Sequence, residues 1–515
     1  MRGFVSLGVL FLLVVGCSKE AAKPVYEGSP ALTLPTTIGA VKAPAPRLAG
    51  PGEPTLADAW PTEPQLAGLI IEEKSEGPWA TRRLTRAASD EESMVPSAPP
   101  MAFEAGLAEE LGTAGLGLVG TGRGGGGTGE GTIGLGSIGT IGKGSGSGSG
   151  RGYGAAAPAP GRMAKPANQG PLRAGSSDDN ADLTGFVRFL QESRQQLGER
   201  FQRLDVEERT YLRVVDRDGL PVPGAKVRAL DPQGRELWLA STYGDGRAVF
   251  YPKIAGASRG GQIEVASIEA LGLGVKGEAA WRGAGAEVVV TLPAARPPIV
   301  EIPLEVVFLI DTTGSMGDEI AQIKATLLSV TEQVKGLGKG VRLRYGAVLF
   351  RDTTDQYVTM THPFTGDIQA FDEALQKIDA GGGGDYPESV NQGLYEAIFA
   401  MQWSEGAAKV VFLIGDAPPQ MELKGDVLYG ESLRAAVEKG VRVHSIAASG
   451  LDPLGSVVWR QVAQFTRGRF IFIEYGGDIR KSAAKHGVGG QVSSNNLDSI
   501  VFEQIRAEIA GWGKR

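Results

Sequence analysis

The chain has very little cysteine and histidine, with one Cys and three His in 515 residues. A single cysteine, Cys17, rules out an intramolecular disulfide, so any folded part stands on its apolar core. The histidines fall in unrelated contexts, and no Ser/His/Asp or Cys/His set with a recognisable hydrolase motif can be assembled. His444 lies inside an apolar run and reads as packed, His362 before Pro363 reads as surface loop, and His486 in "KHGVGGQVSSNN" reads as a mobile loop. A positive net charge is also lacking. The net charge is −7 without long runs of one sign, which removes the electrostatic case for nucleic acid or a polybasic membrane contact. The apolar run "FVSLGVLFLLVVG" is too short for a comfortable membrane span.

Glycine (76) and proline (30) are abundant and crowd the first third of the chain. At the start, Arg2 and the apolar run read as an export signal over residues 1–16. "LVVGC" resembles the lipobox of bacterial lipoproteins, whose cysteine is acylated and becomes the new N-terminus. That resemblance implies a lipid anchor at Cys17, an extracytoplasmic location and, with Ser18 following, the outer membrane. Residues 17–119 keep no helical or strand period and are expected to be disordered. Residues 120–160 form a Gly-rich tether. The tether contains a literal GxGxxG, Gly134 to Gly139, but no strand precedes it and no helix follows, so it is not a dinucleotide site.

Order is expected from near Asp182. Apolar residues from Leu183 to Leu204 recur at spacings of three, four and seven, predicting an amphipathic helix over 180–205. Over 206–296, short runs rich in Val, Leu and Tyr alternate with the turn signals "DRDG", "DPQG" and "YGDG". This pattern predicts an all-β sandwich closed by "AEVVVTLPA". "DRDGLPVPGAKV" resembles the first hairpin of carboxypeptidase regulatory-like domains, which implies a structural or adhesive spacer.

Prolines 297, 298 and 303 mark a junction to residues 301–515. There, solid apolar runs ("EVVFLI", "VRLRYGAVLF", "KVVFLI", "VRVHSIA", "RFIFI") alternate with amphipathic stretches. Strands apolar on both faces need a layer on each side, so the expected fold is a doubly wound α/β domain with a mostly parallel sheet. Ile320, Ile323, Leu327, Val330 and Val334 make one helical stripe, and Leu497, Val501, Ile505, Ile509 and Trp512 make another.

Ligands of such sheets sit beyond the carboxyl ends of the strands. Three loops rich in acid or hydroxyl fall there: "DTTGSM", "GGGGDYPES" and "GDAPP". Asp311, Thr313 and Ser315 alternate, so an extended turn can point all three oxygens one way. With no Cys or His nearby, the donors are hard oxygens that suit Mg²⁺. "DTTGS" resembles the D-x-[ST]-x-S signature of von Willebrand factor A domains, and Asp416 matches that family's aspartate after the fourth core strand. The resemblance covers roughly 301–515 and implies a metal-ion-dependent adhesion site with Asp311, Thr313, Ser315 and Asp416 as ligands. The family supplies a threonine from its second loop. Here Asp385 or Glu388 stands nearest that position, and Asp385 is the preferred ligand. An extra carboxylate would hold the cation more tightly but make it a poorer bait for a partner's carboxylate.

Sequence alone therefore describes a non-enzymatic envelope lipoprotein whose A domain binds a divalent cation and engages a protein or cell-surface ligand. One alternative is a structural envelope protein whose metal only ties loops together. Another is a Mg²⁺-dependent phosphotransferase of haloacid-dehalogenase type with Asp311 as nucleophile. Against it, "GDAPP" lacks the second acid of that loop, and Thr312 replaces the lysine of the similar DKTGT motif of P-type ATPases. Asp352 in "FRD" reads either as support for the site or as half of an Arg–Asp surface pair.

Overall fold

The computed structural model describes residues 69–76, 79–86 and 171–513, apart from 257–263, 338–339, 385, 424–425 and 475–476. Residues 1–16, Cys17, the tether over 120–160 and Asp385 lie outside the described residues. No helix among the described residues is long and apolar enough to cross a membrane.

Two early segments depart from expectation. A hairpin of β1 (Leu69–Glu76) and β2 (Trp79–Arg86) forms within the stretch expected to be disordered over 17–119. Strand β3 (Arg173–Ser177) precedes the expected onset of order near Asp182. Neither carries a long apolar period, because both are held by backbone pairing in a sheet built by residues far along the chain. Helix α1 (Leu183–Leu197) starts where the Asp182 carboxylate accepts the Gly185 amide at 3.0 Å. It stops at Gly198, so the helix is shorter than the predicted 180–205.

Strands β4 (Thr210–Val215), β5 (Lys226–Leu230), β6 (Glu236–Ser241), β7 (Arg247–Phe250), β8 (Ser267–Gly272), β9 (Val275–Ala280) and β10 (Val288–Thr291) follow. They make a three-stranded sheet, β10-β4-β7, and a four-stranded sheet, β6-β5-β8-β9. The glycines ending the three turn signals, Gly219, Gly234 and Gly246, adopt positive φ of 82°, 78° and 73°. These sheets do not stand apart from the rest. Trp238 packs on Phe250 and Tyr251 and, across the boundary, on Phe465. Tyr251 Oη donates to the Phe465 carbonyl at 3.1 Å, and the Gly244 amide donates to Glu508 Oε1 at 2.7 Å. One continuous apolar core runs from residues 206–296 into one face of the α/β region, so these sheets are a fixed buttress and not a free spacer.

The α/β region contains β11 (Ile302–Asp311), α2 (Ile320–Lys335), β12 (Val341–Phe350), β13 (Thr359–Thr365), α3 (Ile368–Gln376), α4 (Val390–Tyr395) and β14 (Ala408–Gly415). It continues with α5 (Tyr429–Lys439), β15 (Val441–Ala447), α6 (Pro453–Phe465), β16 (Phe470–Ile473), α7 (Ile479–Lys485), β17 (Val492–Asn496) and α8 (Leu497–Ala510). Ten strands form one sheet in the order β1-β2-β13-β12-β11-β14-β15-β16-β3-β17. The five expected apolar runs are the adjacent parallel strands β12, β11, β14, β15 and β16. The flanking strands are antiparallel, so the sheet is mixed.

Period-two alternation explains the two cores. Val307 and Leu309 of β11 face the layer that includes α4, α5 and α6. Leu304, Val306, Phe308 and Ile310 face the layer of α2, α3 and α8. The predicted stripes on α2 and α8 are buried in that second layer. His444 is packed as expected, stacked on Phe412 with centroids 5.1 Å apart. His362 lies half-buried in β13, not on a surface loop. His486 is also not in a mobile loop. It is buried against Phe470 and Phe472, with Nδ1 hydrogen-bonded to Ser456 Oγ at 2.9 Å.

Candidate metal centre

Strand β11 delivers Asp311 to the carboxyl end of the sheet, and a single 3-10 turn, Gly314–Asp318, leads from it into α2. Gly415, at the end of neighbouring β14, lies against this aspartate. A Cβ on Gly415 would sit 2.6 Å from Asp311 Cβ, so no side chain fits there. Thr313 donates to Asp311 Oδ1 twice, from its amide at 2.9 Å and its hydroxyl at 2.7 Å. Thr313 Oγ1 lies 3.0 Å from Ser315 Oγ, which donates to Asp416 Oδ1 at 3.0 Å. The four predicted residues Asp311, Thr313, Ser315 and Asp416 thus form one hydrogen-bonded chain. Asp311, Thr313 and Asp416 are buried, while Ser315 is exposed and opens the group to solvent.

Among the described residues no cationic side chain meets Asp311 or Asp416. Asp311 is fully buried, and its Oδ2 has no hydrogen bond of ordinary geometry. Burial, and then the Asp416 charge, push the Asp311 carboxyl up to about 7, while donors from Thr313 and Asp416 oppose this in part. Burial also raises Asp416, against the Ser315 hydrogen bond. Two carboxylates and two hydroxyls with an unsatisfied buried oxygen fit a hard divalent cation. Among the described residues, no group of three or more His, Cys, Asp or Glu side chains forms a metal cluster, so hydroxyls must contribute to any protein ligand set drawn from them.

The second loop is tied to the first. The Gly381 amide donates to the Thr312 carbonyl and the Gly314 amide to the Gly382 carbonyl, each at 3.0 Å. Asp385, the preferred second-loop ligand, lies outside the described residues. Glu388 is buried beside the group: a Cβ on Gly383 would lie 3.0 Å from Thr313 Cβ and 3.2 Å from Glu388 Oε1. The third loop joins the second where the Glu388 amide donates to the Pro418 carbonyl at 3.1 Å.

Sequence reasoning left the support beneath these loops half read, with Asp352 as one of two alternatives and Tyr357 and Gln420 missed. Asp352 is not half of a surface pair. It is fully buried, and its carboxylate accepts Gln420 Nε2 at 2.6 Å and the Thr354 hydroxyl at 2.8 Å. Tyr357 Oη and Thr312 Oγ1 share a 2.8 Å hydrogen bond, and the Arg351 guanidinium lies over the Tyr357 ring. "FRD" at the end of an apolar strand was the one visible signal, and nothing in the sequence marked Tyr357 or Gln420.

Residues 305–451 match the model of the family described as von Willebrand factor A domain, so the chain carries such a domain there. The chain is 31% identical over 116 residues to alpha-protein kinase vwkA of Dictyostelium discoideum. That match takes in 22% of this chain and 18% of the kinase's length. Among solved structures, BatB, a conserved hypothetical protein from Bacteroides thetaiotaomicron, is similar at 14% identity and a TM-score of 0.26. The match covers 36% of this chain and 95% of BatB. The pilus adhesin SpaC from Lactobacillus rhamnosus GG, in an open conformation, is similar at 14% identity and a TM-score of 0.28, over 47% of this chain and 32% of the adhesin.

Proposed function

We propose that the A domain binds a divalent cation, Mg²⁺, at the carboxyl end of its sheet, and that the loaded face engages a protein or cell-surface partner. On this reading Asp311, Thr313, Ser315 and Asp416 hold the ion directly or through water, and Asp385 completes the protein ligands. The ion supplies the positive charge that the two buried carboxylates lack. One observation carries the reading: Asp311, Thr313, Ser315 and Asp416 are linked in series while Asp311 Oδ2 has no hydrogen bond of ordinary geometry. Thr313 and Ser315 hold the carboxylates in register, and Ser315 leaves one side open to solvent, where a partner would approach.

No enzymatic activity is proposed. Asp311, the nucleophile of the phosphotransferase alternative, is fully buried and engaged by Thr313. The purely structural role for the ion remains the competing outcome of the test below. Residues 206–296, read as a sandwich of the carboxypeptidase regulatory-like kind, hold the A domain rigidly through the shared core. Acylation of Cys17 would anchor the whole to the outer membrane on its extracytoplasmic side.

The test is a Mg²⁺ titration of the full chain by calorimetry, wild type against Asp311→Ala, followed by pull-down from cell extract with Mg²⁺ and with EDTA. The full chain is used because cutting at residue 301 would open the shared core. Saturable binding lost in Asp311→Ala, with partners recovered only with Mg²⁺, is the expected result. An absence of binding in the wild type would end the cation reading, and identical partners with EDTA would leave the ion a structural role.

A further inference from the structure

The segment between β12 and β13, Arg351–Val358, touches every loop of the site. Tyr357 Oη bonds Thr312 Oγ1 at 2.8 Å, inside "DTTGS". Asp355 Oδ2 accepts the Gly383 amide at 2.7 Å, and Arg351 Nη2 donates to the Asp379 carbonyl at 2.9 Å, gripping the glycine loop on both sides. Asp352 takes Gln420 Nε2 from the third loop at 2.6 Å. Where the three loops stand therefore depends on where this one segment stands.

The far end of the segment is held by the N-terminal hairpin. The Val358 amide donates to the Leu84 carbonyl at 2.8 Å, one residue from Tyr357. Beyond it β2 and β13 pair over only three residues, Leu84 with Thr359, Arg83 with Met360 and Arg82 with Thr361. Leu84, Val358 and Thr359 are fully buried at that seam. A three-residue pairing next to the sheet edge is short enough to open without unfolding the sheet.

We propose that the hairpin Leu69–Arg86 is a releasable brace for the cation site: paired with β13 it fixes Arg351–Val358 and through it the three loops, and unpaired it lets them loosen. Segments hundreds of residues apart in the chain are thereby coupled through the β2–β13 seam and the side-chain contacts of Arg351–Tyr357 with the loops. The affinity part of the proposal rests on the cation reading above, while the mechanical part does not.

The experiment is hydrogen exchange on the full chain, wild type against Leu84→Asp, with a Mg²⁺ titration of both by calorimetry. Tyr357→Phe serves as a second variant, because it keeps the hairpin and removes only the hydroxyl that meets Thr312 and Arg351. The expected result is faster exchange across 351–358 in Leu84→Asp and Mg²⁺ affinity weakened about fivefold in both variants, the weight of one neutral hydrogen bond. Exchange that rises in the hairpin but not across 351–358 overturns the brace. If Leu84→Asp fails to fold, unchanged affinity in Tyr357→Phe overturns it instead. A wild type that binds no Mg²⁺ defeats the cation reading alone, since the exchange comparison still decides the brace.

Discussion

Helix α6 places two consecutive residues, Trp459 and Arg460, beside two buried carboxylates that the chain treats in opposite ways. Arg460 meets Asp179 with two hydrogen bonds of 2.7 and 2.9 Å. It gives further donors to the His486 and Gly487 carbonyls and lies 3.9 Å over the Phe189 ring. Burial raises the Asp179 carboxyl, and Arg460 opposes it. On the neighbouring side, Trp459 closes over the contact between Gly415 and Asp311, with its indole N–H donating to the Ala417 carbonyl at 3.2 Å. Among the described residues no cation meets Asp311, and a second carboxylate, Asp416, raises it further. At Asp179 the chain neutralises a buried charge from within. At Asp311 it sets a second carboxylate beside the first, which is the arrangement a site for an external cation requires.

The strongest way to break this contrast is to remove the internal partner. Arg460→Met leaves Asp179 buried and unpaired, and unfolding by denaturant is expected to show a loss of about 3–5 kcal/mol. A loss under about 1 kcal/mol would mean that the Arg460–Asp179 pair contributes no more than a surface contact. The converse experiment supplies the missing charge: Ser315→Lys brings an ammonium to the position whose hydroxyl now lies 3.0 Å from Asp416. Cation-free stability should hold or rise. The stabilisation the wild type gains from Mg²⁺, about 2.7 kcal/mol at a hundredfold excess over Kd, should vanish. Thermal melts with and without Mg²⁺ read both, and a cation response that survives the lysine argues against this site.

The legible and illegible parts of the chain differ for a physical reason. Strands β11, β12, β14, β15 and β16 were visible because burial on both faces writes a continuous apolar run. Strands β3, "RAGSS", and β17, "VSSNN", were not, because they owe their place to backbone bonds with each other and with β16. The hairpin over 69–86 escaped for the same reason, with the pairing of β2 to β13 set by residues far away. At the site, Asp311, Thr313, Ser315 and Asp416 could be read from spacing on strand ends. The support from Asp352 was legible only as one of two readings of "FRD", and that from Arg351 and Tyr357 was not, since most of their partners are distant backbone groups or residues with no motif of their own. His486 was misread because glycine and serine around it hide the burial of Val488.

His486 belongs with Arg460 on the structural side of the contrast, and its burial makes stability depend on pH. Burial, with smaller contributions from Lys485 and Arg460, pushes His486 down to about 4. The unfolded chain takes up a proton below about 6.5 while the folded chain resists it. The stability that His486 contributes by staying neutral is therefore present at neutral pH and lost as pH falls from 6.5 towards 4. His444 and His362 are lowered by burial in the same direction. Denaturation at pH 6.5 and 5 should show His486→Gln losing about 2 kcal/mol less than the wild type over that interval. Equal losses would mean the ring is not held neutral.

The smallest expected effect concerns the second loop, where Asp385 and Glu388 compete for one role. Asp385→Asn removes the carboxylate assigned to the ion and should weaken Mg²⁺ binding about tenfold or more. Glu388→Gln keeps the shape of a side chain buried beside Thr313 and should weaken it only about threefold, through the lost charge. Both are read by the same calorimetric titration. The reverse order would move the ligand to Glu388 and put a third buried carboxylate, beside Asp311 and Asp416, on the ion.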